Sequence, residues 1–426
     1  MLLAPPEQVI EITRVLEDAG HQAWCVGGAV RDALLGIPNL DWDFATSAKP
    51  QQVQRLFRRT VPVGIEFGTV GVLDETGVMH EVTTFRRDVE TDGRHAVVKF
   101  GASLDEDLAR RDFTVNAIAY SPTRDELRDP FSGRDDLAAK TLRAVGVAKD
   151  RMREDRLRAL RAMRFASRFN FEIERATWQA IVTSAPHLGQ LSPERVRQEL
   201  EKTMKQVALP SRAFGMWKAS GAFATLVPAL EAITPLELLA LDHLRLPILP
   251  GRPQRYVTRM AALFASARPG TVVPALKALR FSNSDVAWMR GLADRWHAMG
   301  RDLKNELMQP EPPSDATLRQ WAGRAGRTRL APVLRLAYAF CWAERERGLP
   351  APAQRRVESV YRRAVRIAYR DPVEVSDLAI NGDDLAAIGI KGKRLGETLR
   401  GLLQVVLEDP TRNTRDFLLT HAERAT

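Results

Sequence analysis

Residues 25–50 read CVGGAVRDALLGIPNLDWDFATSAKP: a glycine pair, an arginine, and two aspartates flanking one tryptophan. Asp41 and Asp43 are two apart, so in an extended strand both side chains project from one face while Trp42 points to the other. Carboxylates sharing a face repel unless water or a hard cation stands between them, and Mg2+ is commonly held by one or two carboxylates plus substrate phosphates. Gly27 and Gly28 end a short apolar run and precede a helix-like one, AVRDALLG. Backbone can therefore approach a ligand closely there, and a helix start, with Arg31 in its first turn, faces phosphate oxygens. Singly these signals are weak, since a glycine pair is usually a turn and a DxD usually a solvated edge. Together they place a phosphate on one side and a cation on the other.

That layout is the one nucleotidyl transfer requires, with metal ions activating a hydroxyl and stabilising the leaving pyrophosphate. Outward from it the chain mixes periods as far as about residue 140. EQVIEITRVLEDAG (7–20) is an amphipathic helix ending at a glycine cap, while QAWCV, FGTVGVL, VMHEVTTF and AVVKF are short β-branched strands. From EDRLRALRAMRFASRF (154–169) onward helical periodicity takes over, with proline-rich breaks at LRLPILPGRPQR (244–255) and MQPEPPSDAT (308–317). The expected fold is α+β: a small mixed α/β head followed by a long all-α neck, body and tail. The expected domains are a head at 1–140, a neck at 141–205, a body at 206–350 and a tail at 351–426.

With 426 residues, 45% of them hydrophobic, the chain can fill more than one core. Sixty-three lysines and arginines against 53 acidic residues give a net charge of +10, which suits a polyanionic partner without proving one. Two cysteines indicate neither a disulfide framework nor a thiolate metal site. The start MLLAPPEQVI has no signal-peptide pattern and no apolar run is long enough to span a bilayer, so a cytoplasmic protein with no membrane partner is expected.

The arrangement Gly27-Gly28-Ala29-Val30-Arg31-Asp32, Leu34-Leu35-Gly36, Asp41-Trp42-Asp43 resembles the signature of the class II nucleotidyltransferases of the polymerase-β superfamily. That family includes the tRNA CCA-adding enzymes and the bacterial poly(A) polymerases. EVTTFRRD (81–88), RRDFTVNAIAY (110–120), DPFSGRDDL (129–137), REDRLRALRAMRF (153–165) and SPERVRQELEK (192–202) follow in the family's order, and 378–409 looks like the tail of the bacterial CCA-adding enzymes. The resemblance implies that Asp41 and Asp43 ligate Mg2+, that Gly28 and Arg31 contact the triphosphate, and that Arg111 binds the nucleotide. It leaves Glu81 as a third carboxylate or as the base that takes the tRNA hydroxyl proton.

Asp155, Arg158, Arg161 and Arg164 stand at steps of three, which on one helix makes successive members neighbours. A carboxylate accepts from an exocyclic amine and a guanidinium donates to a ring nitrogen, the edge that cytosine and adenine share. Guanine and uracil present the opposite polarity, and each unpaired buried group costs roughly 1–3 kcal/mol. The resemblance gives Asp155 and Arg158 this selecting role, with Arg161 and Arg164 on the triphosphate or supporting the pair.

The expected activity is template-independent addition of CCA to tRNA from CTP and ATP. The alternatives are poly(A) addition, CC-only or A-only addition, and an RNA-binding protein on an inactive transferase scaffold. RRDVETDGRHAVVKF (86–100) is expected to hold a mobile loop at Asp92-Gly93-Arg94, which in the family accompanies complete CCA addition. Seven scattered histidines give no metal-dependent phosphohydrolase dyad. The basic stretch 355–370 is a candidate tRNA grip, and Trp178, Trp217, Trp288, Trp296, Trp321 and Trp342 are expected in the core.

Overall fold

The computed structural model describes residues 3–38, 41–91, 96–244 and 256–424, and the chain folds as two compact units. The first comprises Met1–Ala208 with Met216–Leu226, the second Leu209–Gly215 with Val227–Thr426.

In the first unit α1 (Glu7–Asp18), β1 (Ala23–Val26), α2 (Gly28–Leu34), β2 (Asp43–Thr46), α3 (Pro50–Leu56), β3 (Thr60–Gly64), β4 (Thr69–Leu73) and β5 (Met79–Thr84) come first. After them run β6 (Arg86–Thr91), β7 (Ala96–Phe100), α4 (Leu104–Ala109), β8 (Ala119–Ser121), β9 (Glu126–Arg128), α5 (Gly133–Ala138) and β10 (Thr141–Leu142). Seven strands form one mixed sheet in the order β3-β4-β5-β2-β1-β8-β9, antiparallel except for β2 beside β5.

Register decides what each face carries. Trp24 pairs with Ala45 and Val26 with Asp43, so these four share one face, and Cys25 opposite Phe44 shares the other. Trp24, Val26 and Ala45 pack with Leu104 and Leu108 of α4, and Thr13 of α1 lies by Cys25 on the opposite side. Both faces of β1 and β2 are therefore covered, and Asp43 opens β2 at the end where the cover stops. β6 pairs with β7 in a separate hairpin, and Asp92–His95, where the sequence places the mobile loop, lie outside the described residues.

Helices then dominate, as the periodicity requires: α6 (Ala148–Glu154), α7 (Leu157–Phe169), the two-residue β11 (Glu172–Ile173), α8 (Arg175–Ser184), α9 (Pro193–Gln206), α10 (Pro210–Ser220) and α11 (Ala222–Leu226). The second unit is built from α12 (Pro235–His243), α13 (Tyr256–Phe264), α14 (Val272–Ala278), α15 (Asn283–Met308), α16 (Asp315–Ala325), α17 (Arg327–Glu346), α18 (Gln354–Arg370), α19 (Gly382–Ala387), α20 (Lys393–Glu408) and α21 (Arg415–Arg424). The break expected at 308–317 separates α15 from α16, whereas residues 245–255 lie outside the described ones. Among the described residues no helix is long and apolar enough to cross a membrane. Of the six tryptophans expected in the core, Trp217 and Trp321 are buried, while Trp178, Trp288, Trp296 and Trp342 are half-buried.

Gly133, in the DPFSGRDDL motif, sets α5 against the one-turn 3₁₀ segment Thr114–Asn116. A Cβ at Gly133 would stand 2.3 Å from the Thr114 carbonyl oxygen and 2.8 Å from Ile118. We therefore expect Gly133→Ala to destabilise the first unit by about 1–3 kcal/mol, the range for overpacked sites, as read from the urea midpoint. An unchanged midpoint would mean that the Thr114 turn moves freely.

Candidate active site

The peptide leaves β1 and turns at Gly27, whose φ of +73° favours glycine. A Cβ there would also meet the Arg111 guanidinium at 2.8 Å. Arg111 donates to Asp107 at 3.3 Å and to the Asn116 carbonyl at 3.5 Å. Its Nε is buried without a hydrogen-bond partner among the described residues, a donor left over for a ligand.

Asp41 is exposed just before β2, Trp42 is buried, and Asp43 is partly buried, so the alternation expected from the sequence holds across the triplet. His80 contacts the Trp42 carbonyl through Nδ1 at 3.1 Å and meets Phe44 edge-on, which fixes the non-carboxylate side of the strand. Phe44 pairs with Val82 in parallel register, which puts Glu81 beside Asp43 on the same face. Burial, then the charges of Asp41 and Glu81, push the Asp43 carboxyl from its ordinary 3.8 up to about 7, and Arg111 only partly relieves it. A divalent cation is the group that relieves such a pair, and Asp41 and Asp43 fit one that completes its shell with substrate oxygens. Among the described residues no three His, Cys, Asp or Glu side chains cluster closely enough to enclose a metal unaided.

Arg31, expected at the triphosphate, is also engaged by the protein itself. It is buried, donates through Nε and Nη2 to Asp32 (2.8 and 2.6 Å) and through Nη1 to Asn116 (2.5 Å), and lies over Phe169 at 4.5 Å. Desolvation drives a guanidinium toward such a set of partners, and its Nη2 stands 3.5 Å from where a Cβ on Gly28 would lie. Asn116 in turn donates to Asp112 at 2.9 Å, and Asp112 accepts from Arg161 at 2.9 Å. Burial raises the Asp112 carboxyl, but Arg161 and its other partners more than offset this, so it stays below the usual carboxylate range.

The stretch 153–165 is not one helix. α6 stops at Glu154, Asp155 is extended (φ −145°, ψ 104°), and α7 begins at Leu157. Only Arg158, Arg161 and Arg164 share α7, so the step-of-three neighbourhood does not reach Asp155. The physical reason is that Asp155 turns its Oδ1 onto the Leu157 N–H at 3.0 Å, a local bond that competes with helix continuation. Its Oδ2 accepts from Arg195 of α9 at 2.8 Å. Arg158 instead donates to Glu154 (2.7 Å) and to the Arg151 and Arg110 carbonyls (3.0 and 2.8 Å). Arg164 is buried in a two-pronged pair with Glu199, at 2.7 and 3.4 Å, and lies over Phe165 at 4.3 Å. Asp112, Asn116, Arg195 and Glu199 were not singled out from the sequence, although all four lie inside quoted motifs.

Glycine turn, leftover guanidinium donor and paired carboxylates at the end of a mixed sheet define the class: a nucleotidyltransferase head. The Poly A polymerase head domain family matches residues 23–143, and the family described as Probable RNA and SrmB- binding site of polymerase A matches residues 170–234. The CCA-adding enzyme of Geobacillus kaustophilus (strain HTA426) is 35% identical over 421 residues, covering 97% of this chain and 96% of that one. That of Lactiplantibacillus plantarum is 49% identical over 195 residues, 45% of this chain and 47% of the relative. The crystal structure of the Bacillus stearothermophilus CCA-adding enzyme in complex with CTP matches with a TM-score of 0.74 at 31% identity, over 98% of this chain and 97% of that one. The chain belongs to the CCA-adding enzyme family, whose members are generally metal-dependent.

A carboxyl whose folded pKa is raised binds its proton more tightly folded than unfolded, so the metal-free protein loses stability as pH climbs from about 4 to about 7. Asp43→Asn should therefore raise the metal-free melting temperature at pH 8 by at least about 2 °C, an advantage that shrinks as pH falls toward 4. Mg2+ should stabilise the wild type more than the variant, which keeps Asp41 as a ligand. Equal melting curves at pH 8 would contradict the raised carboxyl.

Proposed function

We propose that this chain builds the 3′-terminal CCA of tRNA from CTP and ATP without a template, releasing pyrophosphate, with Mg2+, in the cytoplasm. One observation carries the chemistry: the partly buried Asp43 carboxyl held beside Asp41 and Glu81 at the mouth of the glycine turn. Near-full-length kinship to a CCA-adding enzyme supports the substrate, and favours it over poly(A) addition or a non-catalytic RNA-binding role.

Asp41 and Asp43 hold the metal. Held by these two carboxylates, Mg2+ would supply charge to offset the triphosphate and to lower the pKa of the attacking hydroxyl. Glu81 keeps that face of the sheet negative and stands as a proton acceptor for the tRNA 3′ hydroxyl. Gly28 presents backbone and Arg111 its spare Nε–H to the triphosphate, while Arg31 fixes the turn that carries them. Asp155 and Arg158 select the base edge. Arg195 orients the first and Glu154 the second, so both are aimed before the nucleotide arrives. Arg161 and Arg164 support this pair through Asp112 and Glu199. The working division is a head at 1–140, a neck at 141–205, a body at 206–350 and a tRNA-binding tail at 351–426.

A tRNA transcript lacking CCA, incubated with Mg2+ and CTP, ATP or both, and then sequenced at its end, tests this. CC from CTP alone and CCA from both are expected; long A tracts, growth that stops at CC with both nucleotides present, growth by A on CC-ended tRNA only and never on the transcript lacking CCA, or no growth would each overturn it. Asp155→Ala should raise UTP and GTP misincorporation by about 5- to 150-fold relative to CTP, since each mismatched edge is worth about 1–3 kcal/mol. Unchanged base choice would remove Asp155 from selection.

A further inference from the structure

The second unit carries a cavity of about 650 Å³ that the catalytic chemistry does not use. Its wall is made by the end of α12, one face of α17 and one face of α18. Arg335, Tyr338 and Trp342 stand at i, i+3 and i+7 on α17, so they share a stripe, and Tyr361 and Arg362 face it from α18. His243 closes α12 and stacks on Trp342, ring centroids 5.8 Å apart and planes 17° apart, with Glu346 on its Nε2 at 2.9 Å. Tyr338 meets Trp342 edge-on at 6.0 Å. The wall is thus π-rich and fixed in orientation.

Arg335 and Arg362 stand at its rim, exposed, and neither is in an ion pair among the described residues. Glu358, the acidic group of the lining, is hydrogen-bonded by Gln354 at 2.7 Å. Cavities of this size suit a compact ligand, and aromatic walls with unpaired guanidinium groups at the rim suit a flat base carrying phosphate. A second observation concerns where that ligand comes from. Arg362, Arg366 and Tyr369 follow at steps of four and three along α18, all exposed, Tyr369 by 61%. A stripe of cations and a bare phenol ring leading away from the cavity fits a continuing strand, whereas a free mononucleotide has no use for it.

We propose that this cavity holds an unpaired nucleotide of the RNA substrate, its base among Tyr338, Trp342 and Tyr361 and its phosphates on Arg335 and Arg362. This rests on the assignment of tRNA as substrate, and it adds a specific contact site within the helical unit. Base stacking and backbone charge are separable contributions, so each has its own variant.

The test is the affinity of the full chain for a fluorescent tRNA transcript lacking CCA, measured by anisotropy across a salt series. Tyr361→Ala should weaken binding about tenfold, the value of one lost stacking contact, and Tyr361→Phe should restore it. The Arg335→Ala/Arg362→Ala double variant changes only exposed side chains and should flatten the log–log salt slope by about 1.5. CTP affinity by equilibrium dialysis should hold in all three. Wild-type tRNA affinity and salt slope in the variants would overturn the proposal. So would AMP binding that is lost in the double variant while tRNA affinity stays, which would assign the cavity to a free nucleotide. A wild-type protein that binds tRNA but never extends it would instead sink the catalytic assignment, leaving the binding comparison readable.

Discussion

Repulsion at the head of β2 is the constraint from which the rest of the first unit follows. Asp43 faces the same side of the sheet as Val26 and Ala45, partly out of water, with Asp41 before it and Glu81 beside it. A hydrophobic residue at that place would be cheaper for folding. The sheet order delivers the arrangement, since only the parallel pairing of β2 with β5 brings Glu81 level with Asp43. The same repulsion makes the site selective for a ligand that brings positive charge, and Arg111 alone does not supply enough.

A second constraint is a chain of charged and polar side chains, mostly buried. Arg161, Asp112, Asn116, Arg31 and Asp32 are hydrogen-bonded in succession, and Arg168 reaches Asp32 at 3.5 Å. Phe165 and Phe169, stacked with centroids 6.0 Å apart, take the guanidinium planes of Arg31, Arg161, Arg164 and Arg168. Buried ion pairs contribute little net stability once desolvation is counted, but breaking one leaves an uncompensated charge. Their use here is geometric: the glycine turn before α2 and the Asp155 segment before α7 are tied through side chains that have one satisfied arrangement. Arg195 and Glu199, one turn apart on α9, extend that tie to Asp155 and Arg164.

Much of this was legible in the sequence because it rests on local rules. Alternation placed Trp42 inside and its aspartates outside, β-branched runs marked β4 and β5, and the shift to helical period located the change between about residue 140 and residue 154. What escaped depends on contacts distant in sequence. Arg31 reads as a cation beside a glycine pair, and its bond to Asn116, 85 residues on, has no local signal. Asp155 looks helical by spacing, yet its bond to the Leu157 N–H and its pairing with Arg195 hold it extended between two helices. The tryptophans read as core, but Trp342 lines a cavity and Trp288 lies under Arg329 at 3.5 Å, because apolar periodicity does not separate a filled core from a pocket wall.

Asp43 is held well above the usual carboxylate range, so that at pH 6 it carries a proton that a bound metal would displace. Calorimetric titration of Mg2+ into the protein with a non-hydrolysable CTP analogue, at pH 6 in buffers of different ionisation enthalpy, counts the protons released on binding. With the carboxyl at about 7, the wild type should release nearly one proton more than Asp43→Asn. Equal release by the two proteins would show that Asp43 is already ionised, and the constraint on which the site has been built would fall.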